Sequence, residues 1–166
     1  MLKKRQLNPF NRDNPSNLRS IYQTSTMKIQ IAKTEEDILK CWDVIYILRP
    51  HLIKETFVAM VQEMIGEGYI LAFIEKDGRA VAAIGYRYLQ YLYIGKHFYV
   101  NDLSTLESER GNGYGGLLLD YVENEAIKNG FTVVALDSGY TRNNAHRLYL
   151  NKGFLLTAHH FIKRLE

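Results

Sequence analysis

An apolar run ending at Leu106 meets ten residues, ESERGNGYGG (107–116), before a second apolar run opens at Leu117. Four glycines fall within six positions, Gly111 to Gly116, and let the backbone turn tightly or approach a ligand. Gly111, Gly113 and Gly116 satisfy G-x-G-x-x-G, and Asp137 lies 21 residues on, where a dinucleotide fold keeps its ribose-binding acid. The surroundings exclude that fold. There the strand runs almost directly into the first glycine; here Glu107, Ser108, Glu109 and Arg110 intervene, four polar residues unsuited to a buried strand. Only 50 residues follow Gly116, too few for the βα units that such a fold still needs. No Gly-Lys-Ser/Thr follows, so a P-loop is excluded as well. What remains is a strand, a short charged turn, and Arg110-Gly111-Asn112-Gly113-Tyr114-Gly115 opening a helix. Successive backbone N–H groups in such a turn form an anion-binding concavity, and the helix N-terminus adds partial positive charge and unsatisfied donors. Arg110 adds a full charge. The expected guest is a pyrophosphate. Each glycine inside a helix costs roughly 1 kcal/mol, so turn geometry alone is an expensive reason to keep four.

The flanking patterns define the rest. MKIQIAK (27–33) alternates as a strand. Thr34 with Asp37 resembles a capping box, followed by a helix carrying Ile38, Leu39, Trp42, Ile45 and Tyr46 and broken at Pro50. A second helix spans 54–68, with Phe57, Val58, Val61 and Ile65 on one face. Two apolar strands flank Asp77-Gly78, a hairpin signal, and KHFYVNDLSTL adds a third. After the glycines come a helix stopped by Gly130, a short buried strand (131–137), a short helix with Asn143 as its expected cap and Gly153 at its end, and one or two closing strands in 154–165.

Length and composition fit one domain of ordinary globular type, with 46% apolar and 23% charged residues. The net charge of +3 is unevenly spread. Residues 1–26 hold five basic side chains against Asp13 alone, so they carry +4 and residues 27–166 come to −1. The polar basic segment 1–26 is expected to be a loose extension, and 27–166 the domain. A near-neutral domain gives no support for nucleic-acid binding, and no apolar run is long enough for a membrane span. Cys41 is the single cysteine; a buried structural thiol, a reducing cytoplasmic setting and no cysteine-based metal site are the expectation. His146 and His160 have no carboxylate or cysteine at ligand spacing, so no metal is expected.

With both motifs in view, the chain resembles the GNAT superfamily of acetyl-CoA-dependent N-acetyltransferases. Its Gln/Arg-x-x-Gly-x-Gly/Ala motif is matched by Arg110, Gly113 and Gly115. Its Ala-x-x-Leu/Phe-Tyr-x-x-x-Gly-Phe motif is matched by Ala145, Leu148, Tyr149, Gly153 and Phe154. The likeness spans about residues 28–165. LDSGYTRNNAHRLYLNKGF (136–154) is further similar to the small-molecule branch that includes aminoalkylphosphonate N-acetyltransferases. The resemblance implies an α/β (α+β) fold: a mixed, mostly antiparallel central sheet with two splayed strands, flanked by about four helices. It implies acetyl-CoA as acyl donor, its pantetheine lying between the splayed strands. Leu103, Ser104 and Thr105 would meet the pantetheine, and Arg110, Gly111, Asn112, Gly113, Tyr114, Gly115 and Gly116 the pyrophosphate. Arg142 stands where the family often has an asparagine, and an arginine there can reach a phosphate. Tyr149 occupies the family's general-acid position. A homodimer is an expectation that rests on the resemblance alone.

The implied reaction moves an acetyl group to an amine. An amine near lysine's ordinary pKa must lose a proton before it attacks. Tyr99 stands where some members have a glutamate base. Asp102, three residues on, is the nearest carboxylate, either as base or as a hydrogen-bonding group that fixes the splayed strands; Asp137, His97 or a water chain are the alternatives. Arg49 and His51 of RPHL, with Tyr86 and its neighbours in GYRYLQYLY, are candidates for the acceptor wall, against solvated side chains at a helix break. A small polar amine is the expected acceptor. A protein lysine or N-terminus, and a non-catalytic acyl-CoA-binding module, are the other readings.

Overall fold

The computed structural model describes residues 28–165, so the expected extension 1–26 lies outside the described residues. Five strands form one sheet in sequence order: β1 (Ile29–Ile31), β2 (Tyr69–Lys76), β3 (Arg79–Tyr91), β4 (Gly95–Thr105) and β5 (Val134–Leu136). The first four are antiparallel, and β5 joins β4 in parallel. Five helices accompany them: α1 (Glu35–Lys40), α2 (Trp42–Leu48), α3 (Lys54–Gly66), α4 (Tyr114–Lys128) and α5 (Asn143–Asn151).

Local chemistry explains the meander. Asp77 and Gly78 both have positive φ, 52° and 78°, the geometry of a two-residue turn matched to strand twist. Ala80 to Tyr86 on β3 are all buried, which requires cover on both faces of the sheet. Tyr86 points to the α4 face, where it meets Tyr121 edge-on at 6.4 Å; Tyr69 and Leu71 point to the face covered by α2 and α3. Between those helices Trp42 lies edge-on to Phe57 at 5.2 Å.

The Thr34–Asp37 capping box forms, each side chain bonding the other's backbone N–H. The single helix expected after it is two. Cys41 N–H reaches back to Ile38 O, one residue short of the α-helical step, and α2 restarts at Trp42. Ile38, Trp42 and Ile45 are buried as expected, while Leu39 and Tyr46 are largely exposed. Two further expectations need correction. Arg142, not Asn143, is the residue before α5, because a turn closed by Arg142 N–H on Gly139 O leads into the helix. Residues 154–165 form no strand. Their apolar residues come in adjacent clusters, Phe154-Leu155-Leu156 and Phe161-Ile162, rather than alternating, so no single face exists to bury; Leu155 is 81% exposed and Phe161 89%.

Candidate active site

β4 and β5 pair only over Phe98–Val100 and Val134–Leu136. Beyond that β4 continues beside β3 to Thr105 while β5 ends, so the two strands part as expected. Register also slips there: Gly85 faces Asp102 but Tyr86 faces Val100, leaving Asn101 as an extra residue on β4. The opening is a cleft of about 100 Å³, lined by Leu48 and Arg49, Val100 to Leu103 of β4, Leu136 at the end of β5 with Asp137 to Gly139 beyond it, and Arg142, Ala145 and Tyr149 of the α5 region. Ser138 Oγ is buried in this cleft without a protein hydrogen-bond partner.

The glycine loop is tied to the cleft through α5. Tyr149 lines the cleft while the same helix meets the start of α4: a Cβ on Gly115 would lie 3.1 Å from Leu148 Cδ2, and one on Gly116 3.3 Å from Lys152 Cε. Gly111 and Gly113 differ, having positive φ (86° and 81°) with open space around the missing Cβ. The first helical bond of α4 is Leu117 N–H to Gly113 O, so the N–H groups of Tyr114, Gly115 and Gly116 have no helical acceptor. ESER forms a 3-10 turn over Glu107–Glu109. Glu109 is buried, and it accepts from Lys76 Nζ at 2.9 Å and Asn112 Nδ2 at 3.3 Å, so the loop is pinned to the β2–β3 hairpin. Arg110 is half-exposed and pairs with Glu107 at 3.4 Å.

The two candidate carboxylates have different surroundings. Arg49 Nη2 lies 2.8 Å from Asp102 Oδ1 and also donates to Asn101 O at 2.9 Å; the Tyr69 hydroxyl donates to Asp102 Oδ2 at 2.9 Å. Both Asp102 oxygens are therefore engaged, by the end of α2 and by β2, and neither bond reaches β5. Asp137 takes the Tyr99 hydroxyl at 2.6 Å and His160 Nδ1 at 2.9 Å, both on Oδ2, which leaves Oδ1 free of them. Burial, then the bond to Asp137, pushes the Tyr99 hydroxyl well above its usual range, so Tyr99 acts as a donor. Burial likewise raises Tyr149, against the nearby Arg142, and keeps its proton on at neutral pH.

Leu103 lines the cleft, Ser104 is buried on β4 opposite Ala83, and Thr105 ends the strand. His51 joins Arg49 on the other side of α2, beside a second pocket. Tyr86 is not in the acceptor wall: it is 2% exposed, packed on Phe98 at 5.4 Å under α4, because the register of β3 turns it away from α2. His97 is buried near the β3–β4 turn, about 16 Å of strand from Asp102, with Nδ1 2.9 Å from Gly95 O. Tyr69, Gly85, Ser138 and His160 are site residues that the motifs do not mark. Gly85 alone carried a sequence signal, a glycine inside an apolar strand, which marks a close approach. A Cβ there would run into the Tyr69 ring, whose Cε2 lies 2.6 Å from that position.

Splayed parallel strands that lead to a glycine-opened helix define an acyl-CoA-dependent transferase fold, and the orphan donors at α4 with the unpartnered Ser138 fit a long cofactor with amide and phosphate groups. The Acetyltransferase (GNAT) family pattern matches residues 32–154. An uncharacterized N-acetyltransferase of Bacillus subtilis (strain 168), YhdJ, is 30% identical over 132 residues, covering 78% of this chain and 93% of its own length. Two solved structures share the fold. Aminoglycoside N-acetyltransferase AAC(6′)-Iy in complex with CoA has a TM-score of 0.70 at 17% identity, covering 83% of this chain and 95% of that one. Ribosomal-protein-alanine N-acetyltransferase from Brucella melitensis biovar Abortus 2308 also reaches 0.70, at 13% identity, covering 83% and 99%. The chain belongs to the GNAT family and is an acetyl-CoA-dependent N-acetyltransferase. No helix among the described residues is long and apolar enough to cross a membrane.

Proposed function

We propose that the enzyme acetylates the primary amine of a small polar molecule by direct attack within the β4–β5 cleft. The carrying observation is that Tyr149, Asp137 and Arg142 converge on that one cleft. Bound acetyl-CoA supplies a thioester whose carbonyl carbon bonds the amine nitrogen as its C–S bond breaks. Tyr149, held protonated by burial, gives its proton to the departing sulfur and is restored by the proton that the newly acylated nitrogen sheds. Asp137 takes the proton that the ammonium must lose, in place of Asp102, whose oxygens Arg49 and Tyr69 occupy. Tyr99 and His160 hold Asp137 at the rim. Backbone N–H groups of the parting stretch of β4 meet the charge that develops on the carbonyl oxygen without reorganising. Arg110 to Gly116 hold the pyrophosphate, Leu103 to Thr105 the pantetheine, and Arg142 is within the same cleft for a phosphate or amide. Arg49 and His51 face the acceptor.

Thiol release from acetyl-CoA, followed over a panel of primary amines, tests this reading. At least one small amine is turned over, and Tyr149→Phe lowers kcat about 100-fold or more while stabilisation by acetyl-CoA persists. Preference for peptide lysines or N-termini over every small amine refutes the acceptor class. Acetyl-CoA binding with no turnover, and no effect of Tyr149→Phe, refutes the chemistry.

A further inference from the structure

A second pocket, of about 150 Å³, lies between the α2–α3 pair and the sheet. Its wall is apolar: Ile45 of α2, Phe57, Met60 and Met64 of α3, and Leu71 of β2. Its polar side is Arg49, His51, Asp102 and Tyr69. Arg49 and Asp102 also line the reaction cleft, so a single ion pair stands between the two spaces. That partition is one-sided in its attachment. Asp102 is held by Tyr69 as well, so it keeps one bond even where an entering group displaces the 42% exposed Arg49 side chain, which also donates to Asn101 O at 2.9 Å.

An apolar cavity of ~150 Å³ accepts a benzene molecule. We infer that this pocket receives an apolar arm of the acceptor, an alkyl or phenyl group of about four to six carbons, while the amine at its other end lies beside Asp137. The inference rests on the acetyl-transfer reading above and narrows its substrate class to a primary amine that is polar at the reacting end and apolar beyond it. The lining chemistry selects against a second charge or hydroxyl at the arm's tip. Such a group, buried against Phe57 and Met64, would find no partner.

A straight-chain series from ethylamine to hexylamine, with 4-aminobutanol matched to pentylamine, reads the arm directly. The expected result is that kcat/KM rises about fourfold per methylene up to five or six carbons and then levels off. The hydroxyl analogue falls at least tenfold below pentylamine. Met64→Phe, which fills the pocket, shifts the optimum to shorter chains, and Met64→Ala shifts it to longer ones; thermal unfolding checks that both are folded. A flat series, or an optimum that neither variant moves, overturns the inference while leaving acetyl transfer intact. If no amine is acetylated, the catalytic reading fails, and hexylamine titrated against methyl-labelled protein still decides the pocket. Shifts concentrated at the Met60 and Met64 methyls support it, and their absence refutes it.

Discussion

Replacing Gly85 with alanine places a methyl group inside the space of the Tyr69 ring. The ring has little room to yield. Tyr69 is 4% exposed, the Arg87 guanidinium lies 5.6 Å from its centroid, and its hydroxyl is 2.9 Å from Asp102 Oδ2. Moving the ring breaks a hydrogen bond to a charged group, worth about 1.5–3 kcal/mol. Repacking around the added carbon costs about 1–3 kcal/mol more. The intrinsic gain from removing a strand glycine, about 0.5–1 kcal/mol, offsets part of this. The net expectation is a loss of about 3 kcal/mol, or roughly 10 °C in Tm for a domain of this size. Urea unfolding measures it as a fall in midpoint at unchanged m-value. Tyr69→Phe alone loses only the hydrogen-bond share. Gly85→Ala combined with Tyr69→Leu is less destabilised than the sum of the two by at least about 1 kcal/mol, because the leucine vacates the space that the new methyl takes. A Gly85→Ala protein within about 0.5 kcal/mol of the parent, or strict additivity with Tyr69→Leu, refutes the close approach and with it the account of how Asp102 is held.

Asp137→Asn lowers kcat about 100-fold or more with little change in acetyl-CoA affinity, whereas Asp102→Asn costs stability first; steady-state kinetics and urea unfolding separate the two. Gly113→Val weakens acetyl-CoA binding at least tenfold while the fold survives, because valine resists a φ of 81°; isothermal calorimetry checks it. Cys41, its thiol pushed up to about 12 chiefly by burial, resists a thiol-specific disulfide reagent at pH 8 in the native protein and reacts fully in urea. Asp37 is held below its usual value, first by the Lys33 backbone N–H. A carboxyl lowered by folding stabilises above its unfolded pKa, about 3.9, and ceases to as pH falls through the folded value. The stability difference between parent and Asp37→Ala is therefore largest above about pH 5 and shrinks toward pH 2, as urea midpoints across that range report.

Local signals carried well where the physics is local. The Asp77-Gly78 turn, the Thr34 box and the stop at Gly130 each depend on a few consecutive residues, and each is where the pattern places it. The parting of β4 and β5 was legible only through the family motifs. How Asp102 is held was not legible at all. Tyr69 lies 33 residues from Asp102 in sequence, Arg49 lies 53, and their meeting depends on a register slip at Asn101 that no periodicity encodes. Tyr86 failed for a related reason. Alternation says that neighbouring tyrosines point oppositely, but not which of them faces α2 until the partner helices are in place.

The glycine stretch shows how one motif joins two physical demands. Gly111 and Gly113 are required by backbone conformation, with nothing near the absent side chain. Gly115 is crowded by α5, whose Leu148 Cδ2 would lie 3.1 Å from an added Cβ, and beside Gly116 stands the flexible end of Lys152. A side chain at the first pair distorts the loop that Glu109 and Lys76 pin; a side chain at Gly115 presses on Leu148 of α5, the helix that carries Tyr149. On the proposed reading, pyrophosphate binding and proton donation are coupled through one helix contact. Damage at Gly115 is felt in kcat as well as in cofactor affinity, and damage at Gly113 in affinity first.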